Sequence, residues 1–492
     1  MRRYVFAALI FSLPCPAQFV PASSGCSQAH CDPQLDDAVR LTPPTSLVSQ
    51  CTDSVAQGSN AGGGLSSNGY AVAATYANNA GYAGPFLKVY DASVAGGGPC
   101  HVLWTSNILD DQAWRAVPLL GSHTAAIPDM VIAADDTQIV EFDGSGRVLW
   151  DTCWYGGTAP SCRCSDRASS PPCGGGNYPI EPVPLDDGSV NALVVGTHGD
   201  AGHPGLVFEV NSATGAIMGS EYLGLSGGNS NNPNNIPCVN SNTFFMITNY
   251  SSNASVGVMY AIRVSNGVFN TVWSYNFHGP SGGSPLCLNS LSPPGVFSDG
   301  TDATNSSHSD LYGWNQISGA LLYACLDTGG SGCPSIQGSI RTNSAADSRG
   351  GYWVVSPNLG TISRRSPDAS PAGSQIQTIE VQKIIPGEPC NTAPSSDLSM
   401  SVAANGDNLM TLALQTLAGC NAGANSASYI AIMDANTGTL RSYWRLAADN
   451  TVAPGLAKGQ FPIVLTTAGL PRLAFTSDLG GLVQLGAQAG DK

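Results

Sequence analysis

The segment THGDAGHPG sets His198, Asp200 and His203 close together among glycines. Two imidazoles and a carboxylate are ligands for a divalent cation, and the glycines let the chain fold them toward one point. The same residue types also build a polar turn between strands, so a divalent-metal site and a plain loop both stand. A second concentration is CWYGGTAPSCRCSDRASSPPCGGGNY, with Cys153, Cys162, Cys164 and Cys173. Their spacing is loosely zinc-like, but in an oxidising compartment pairing among the four as disulfides is the stronger expectation. No GxSxG, HExxH or CxxCH motif occurs, so the chain offers no recognisable hydrolytic nucleophile or haem attachment. The pairs Asp143-Gly144, Asp187-Gly188 and Asp299-Gly300 are β-turn chemistry before they are calcium sites.

The elements that must position these groups are short strands. Met130–Trp150 (MVIAADDTQIVEFDGSGRVLW) reads as strand Met130–Ala134, turn Asp135–Thr137, strand Gln138–Phe142, turn Asp143–Gly146 and strand Arg147–Trp150. Such a unit cannot bury its own faces and needs neighbours like itself. They follow: an apolar strand, an Asx turn with Gly, then a strand ending in a large residue. Copies occur at Phe86–Trp104, Ile139–Trp150, Leu206–Met218, Val258–Trp273, Leu311–Tyr323 and Tyr429–Trp444, with weaker ones at Tyr352–Arg365 and Leu473–Leu485. Trp104 and Trp150 stand 46 positions apart, and Trp273 and Tyr323 stand 50 apart. A fourth, inner strand precedes each pair, as in Ala116–Ser122, Glu181–Ser189, Ile236–Asn242, Ser284–Ser290 and Phe461–Gly469. That period with four short strands predicts an all-β chain folded as a β-propeller of eight four-stranded antiparallel blades, seven being the alternative. The last unit lacks a fourth strand of its own, so a strand at Ala71–Thr75 or upstream is expected to close the ring.

Asp434, Thr437, Gly438 and Trp444 carry a repeat that resembles the blade motif of the quinoprotein-like (PQQ-like) eight-bladed propeller superfamily. Asp143, Gly146 and Trp150 carry a shortened form, and Thr214-Gly215 another. By topology the resemblance spans Gly69 to Leu485. It implies that a dehydrogenase of this type would hold a quinone with an adjacent Cys-Cys disulfide, a Trp and a Glu/Asn/Asp calcium set. This sequence departs from that pattern, since its nearest approach is Cys162-Arg163-Cys164. Propellers host many unrelated functions, and ligands enter them by the funnel at the first residues of the inner strands. Those residues are Arg115, Glu181, Asn234, Asn235, Arg341, Asp397 and Gln460. Both charge signs mixed with amides suit a polar small molecule or a peptide carboxylate, or simply a solvated channel.

Composition agrees with a loop-rich β protein: 58 glycines, 42% hydrophobic residues and only 11% charged ones in 492 residues. A formal charge of −15 argues against nucleic acid or an anionic membrane as partner. The start, MRRYVFAALIFSLPCPAQ, has a basic end, an apolar stretch and a small residue at Ala17, the pattern of a secretory signal over 1–17. No other stretch is long and apolar enough to span a bilayer. Residues 18–68 read as a Pro/Ser/Gly-rich lead-in, 69–487 as the propeller and 488–492 as a tail. Of 15 cysteines, removal of Cys15 with the signal leaves an even number for disulfides. Sequence neighbours suggest Cys26–Cys31, Cys325–Cys333 and Cys390–Cys420. Asn249, Asn253 and Asn305 stand in N-x-S/T sequons.

These features lead to a secreted or periplasmic propeller acting as a non-catalytic binding or assembly module. Its partner is expected to be another protein, a copy of itself or a polar small ligand. No cofactor is expected beyond a divalent metal at the histidine segment. The alternative is a propeller enzyme using the funnel with a metal or quinone. A third option, a lipoprotein-type outer-membrane assembly scaffold, needs a lipidated N-terminal cysteine that this start hardly offers.

Overall fold

The computed structural model describes residues 19–21, 26, 31–32, 34, 38–39, 41–53, 64–65, 71–76, 83–91, 98–109, 117–123, 130–135, 137–153, 181–188, 191–196, 206–222, 231–233, 237–250, 256–278, 285–301, 309–325, 345–347, 350–356, 360–366, 374–394, 402–417, 427–446, 457–458, 463–465, 469–477 and 481–487. They form eight antiparallel sheets in sequence order. Blade 2 shows the pattern from inner to outer strand: Leu119–Ser122, Met130–Ala134, Gln138–Phe142 and Val148–Cys153. The middle two match the strands read from the sequence residue for residue. The inner strand is split in blade 4 (Asn231–Pro233 and Cys238–Asn240), blade 7 (Thr392–Pro394 and Val402–Asn405) and blade 8 (Ala457–Lys458 and Ile463–Leu465).

Blade 8 is closed from the other end of the chain. Its inner strand and the strands Pro471–Ser477 and Gly481–Gly486 are completed by an outer strand from the N-terminal region, Val48–Thr52. The closing strand is thus upstream of Ala71–Thr75, which is the second strand of blade 1, after Gly64–Leu65. The repeat copies at Tyr352–Arg365 and Leu473–Leu485 turn out to be second-and-third strand pairs, whereas the other six are third-and-outer pairs. Their weaker motif follows, because only the third-to-outer turn carries the blade signature.

That signature has a mechanical reason. In four blades the turn is headed by an Asx whose Oδ1 caps the following amides. Asp143 accepts from Ser145 N at 2.9 Å, Asn211 from Ala213 N at 2.9 Å, Asn315 from Ile317 N at 2.8 Å and Asp434 from Asn436 N at 2.9 Å. The turn then presents a glycine to the preceding blade. Trp104 lies on Gly146, Trp150 on Gly215 and Trp273 on Gly319. At Gly215, with φ at 72°, a Cβ would stand 2.5 Å from the Trp150 ring, so the position admits no side chain. Trp150 Nε1 donates to Ser212 O at 3.2 Å and Trp273 Nε1 to Gln316 O at 2.9 Å, which satisfies each indole while its ring is covered. All eight third-to-outer pairings carry a register shift; a bulge there adds local twist and bends the outer strand.

The apolar cores lie between blades. One cluster joins Phe245 and Met259 of blade 4 to Cys287, Val296 and Trp314 of blade 5; another joins Leu119 and Ile139 of blade 2 to Leu193 and Val210 of blade 3. Two disulfides cross such joints, Cys51–Cys100 from blade 8 to blade 1 and Cys238–Cys287 from blade 4 to blade 5, each spanning 49 positions. Cys26–Cys31 is present as expected.

The lead-in enters the channel. We label its strands β1 (Val20–Pro21), β2 (Ala38–Val39) and β3 (Val48–Thr52). β1 pairs antiparallel with the free edge of the inner strand of blade 2, Val20 opposite Ser122. Gln34 O accepts from Cys287 N of blade 5 at 2.9 Å. β2 pairs in parallel with the inner strand of blade 7, Ala38 opposite Ala404. Gly406 N then donates to Leu41 O, and the chain passes to the rim as β3. Cys26 and Cys31 are buried against Val39, Ile430 and Phe475 of the lead-in and blades 7 and 8.

Candidate functional site

In an up-and-down blade successive turns alternate between its two ends. Inner-to-second and third-to-outer turns therefore share one face of the ring, here called the lower face. Three blades and the lead-in bound a cleft of about 670 Å³ on that face. Blade 5 contributes Asn289, Ser290 and Leu291 from its first turn, and blade 6 contributes Asp347 and Trp353. Blade 7 contributes Asn405, Asn408 and Leu409, and the lead-in forms one wall with Gln34 and Val39.

The electrostatics of this cleft are nearly neutral. Among the described residues that line it, the one carboxylate is Asp347, which is ion-paired with Arg364. Asn289 is held in place, accepting from Gln316 Nε2 at 2.9 Å and donating to Val239 O at 3.4 Å. Asn405 accepts from Thr411 Oγ1 at 2.7 Å, while its Nδ2 is enclosed and has no hydrogen-bond partner among the described residues. The amides of Gln34 and Asn408 and the Ser290 hydroxyl likewise bond to none of the described side chains or backbone. The cleft therefore offers donors and acceptors beside an apolar surface from Leu291 and Leu409, with Val39 and Trp353 buried behind it.

Other buried polar groups among the described residues lie away from the cleft, and three sets of them sit in or between blades. At the joint of blades 8 and 1, Lys88 Nζ and Tyr90 O–H both reach Asp53 Oδ2, at 2.9 and 2.6 Å, and Tyr76 hydrogen-bonds Tyr90. Burial pushes the Tyr90 phenol well up, and the neighbouring Tyr76 and Asp53 add to it. At the joint of blades 3 and 4, Glu209 Oε2 accepts from Gly267 N at 2.6 Å and Asp187 Oδ2 from Asn266 N at 3.2 Å. Burial, with the Asp187 carboxylate nearby, raises Glu209 to about 7. In blade 2, His123 Nε2 lies 2.8 Å from Glu141 Oε1, with Phe19 edge-to-face against the imidazole; burial raises the Glu141 carboxyl despite the imidazole.

Of the residues singled out from the sequence, Glu181 is described; it is half-buried just before the inner strand of blade 3. Arg115, Asn234, Asn235, Arg341, Asp397 and Gln460 lie outside the described residues, as do His198, Asp200 and His203. So do Cys162, Cys164, Cys173, Cys333 and Cys420. Cys325 ends the outer strand of blade 5. Cys153 and Cys390 are disulfide-bonded to partners that are not described. The inter-blade disulfides escaped a search among sequence neighbours; their common 49-residue spacing, one blade period, was the available signal. The cleft residues had no signal, being ordinary turn residues brought together by three separate blades.

No protein-family model and no curated protein matches the chain. Among solved structures, a europium-containing methanol dehydrogenase superposes with a TM-score of 0.58 at 12% identity, over 93% of this chain and 90% of that one. The fold is that of an eight-bladed antiparallel β-propeller, similar to that of this dehydrogenase. A quinohemoprotein alcohol dehydrogenase from Pseudomonas putida HK5 gives a TM-score of 0.54 at 11% identity, over 96% of this chain and 81% of that one. Likeness at this identity carries the fold and not the chemistry. The quinone-holding set is not assembled by the described residues of this propeller. No two cysteines are adjacent in the sequence, and among the described residues no three His, Cys, Asp or Glu side chains converge as metal ligands.

Proposed function

We propose that this protein is an extracytoplasmic, disulfide-stapled propeller that works as a binding or assembly module without catalysis. The observation that carries the reading is the path of the lead-in. Its backbone bonds to the inner edges of blades 2, 5 and 7, so the chain itself occupies edges that an open channel would leave to a ligand. The inter-blade disulfides favour an oxidising compartment, and the basic, apolar start at 1–17 favours export. A protein partner, a second copy or a polar small ligand is the expected occupant.

A second reading keeps the chain an enzyme, and the fold likeness to two dehydrogenases is what favours it. It places a quinone at the upper funnel beside Arg115, Glu181, Asn234, Asn235, Arg341, Asp397 and Gln460, or a divalent metal at His198, Asp200 and His203. Elemental analysis and an absorption spectrum of protein purified from its native compartment separate the two. The module reading expects neither stoichiometric metal nor a quinone band. A metal lost on His203→Ala, or a quinone band, would replace it with the enzyme.

A further inference from the structure

We infer that the lower-face cleft is a binding site for a neutral saccharide of one or two sugar units; this rests on the binding-module reading and names the ligand of that module. The polar groups there are amides and a hydroxyl. An amide side chain donates and accepts at once, as a sugar hydroxyl does, so Gln34, Asn408 and Ser290 match a ligand whose every polar group is of mixed character. A charged ligand is disfavoured on both sides. Asp347 is already matched by Arg364, leaving no fixed cation for an anion, and the formal charge of −15 repels anions at long range.

The backbone excludes the other neutral ligand, an extended peptide. A peptide gains affinity by adding to a free strand edge. Here the inner edge of blade 7 is taken by β2 and Cys287 N of blade 5 by Gln34 O. The inner strand of blade 6, Ala345–Ala346, is only two residues long. Side-chain hydrogen bonds therefore have to supply recognition, and the partly exposed Leu291 and Leu409 give the apolar surface on which the C–H face of a pyranose rests. A volume of about 670 Å³ falls in the range of small-molecule clefts.

Saturation-transfer NMR tests this with glucose, galactose, mannose, N-acetylglucosamine and their 1,4-linked dimers, beside glucuronate and neutral tetrapeptides. The variants are Gln34→Ala and Asn408→Gly. Both residues are free of side-chain bonds, and glycine preserves the left-handed backbone of Asn408 (φ 57°), so both variants keep the fold. The expected result is binding of at least one neutral sugar, weakened at least tenfold by each variant. Binding of no sugar, binding of glucuronate or tetrapeptide alone, or sugar binding untouched by both variants would overturn the assignment. Such a failure leaves the module reading in place, which only bound metal or quinone strikes.

Discussion

At the scale of single residues, the pair Asp187 and Glu209 illustrates how a propeller joint uses carboxylates. Blade 4 has the tight turn Asn266-Gly267 where other blades have longer ones, and two acidic side chains from blade 3 cap its amides. Two carboxylates facing one turn cannot both stay charged cheaply in a buried site, and Glu209 is the one driven up, to about 7 from its ordinary 4.5. Its folded pKa lies above its unfolded one, so the native state binds the extra proton. The linked stability is full below about 4.5 and is lost as pH rises through about 7. Glu209→Gln keeps the acceptor for Gly267 without the titration. Urea unfolding is expected to show the wild type losing on the order of 2 kcal/mol more than the variant between pH 5 and 8. Equal slopes for the two proteins would sink this account.

At the scale of the element, the joint between blades is set by what the outer strand presents to the next turn. The position paired with the third strand, one residue before the register shift, is Trp104, Trp150 and Trp273 in blades 1, 2 and 4. In blade 3 the same position is Gly219. The short turn of blade 4 comes so close that a Cβ on Gly219 would meet Gly267 O at 2.1 Å. Backbone has replaced indole as the contact surface, and the blade 3 sheet can only be docked there because nothing projects from it. Gly219→Ala removes no contact yet is expected to cost about 3 kcal/mol through forced separation of the two blades, read as a drop in denaturant midpoint. Wild-type stability in this variant would mean the blades are not in backbone contact. The outer strands also explain the exposed Val102, Leu103, Val148 and Leu149, which flank the docking tryptophans on edge strands that only their partners on one side cover.

At the scale of the whole molecule, a ring needs one closure, and here it is made three times over at one place. β3 completes blade 8 by pairing with Gly481–Gly486, Cys51–Cys100 ties it to blade 1, and Asp53 beyond it is held by Lys88 and Tyr90. Lys88 and Asp53 are both buried, so removing one leaves the other as an uncompensated charge. Lys88→Met is expected to destabilise by roughly 3–5 kcal/mol and Cys51→Ser with Cys100→Ser by about 2–4 kcal/mol. In both, hydrogen exchange should rise first in Val48–Thr52 and Gly481–Gly486. Exchange that rises evenly around the ring would show that closure is not the weak point.

The strands and their order follow from the chain alone, because a blade is local: its period-2 apolar pattern, its Asx-Gly turns and its spacing all lie within about fifty residues. That is why Met130–Ala134 and Gln138–Phe142 are readable from residue types, and why a propeller of eight or seven blades is the answer before any coordinates; the eight sheets decide between them. What depends on residues far apart was not legible. The weak copy at Leu473–Leu485 lacked an outer strand until β3 arrived from the other end of the chain. Cys51–Cys100 and Cys238–Cys287 join blades rather than sequence neighbours. The lead-in, featureless as composition, takes up the free hydrogen bonds of three inner edges. The lower-face cleft exists only where turns of blades 5, 6 and 7 meet that lead-in, and turn residues carry the same signature whether they face solvent or a ligand. Local pattern decided the blades; closure of the ring decided what they enclose.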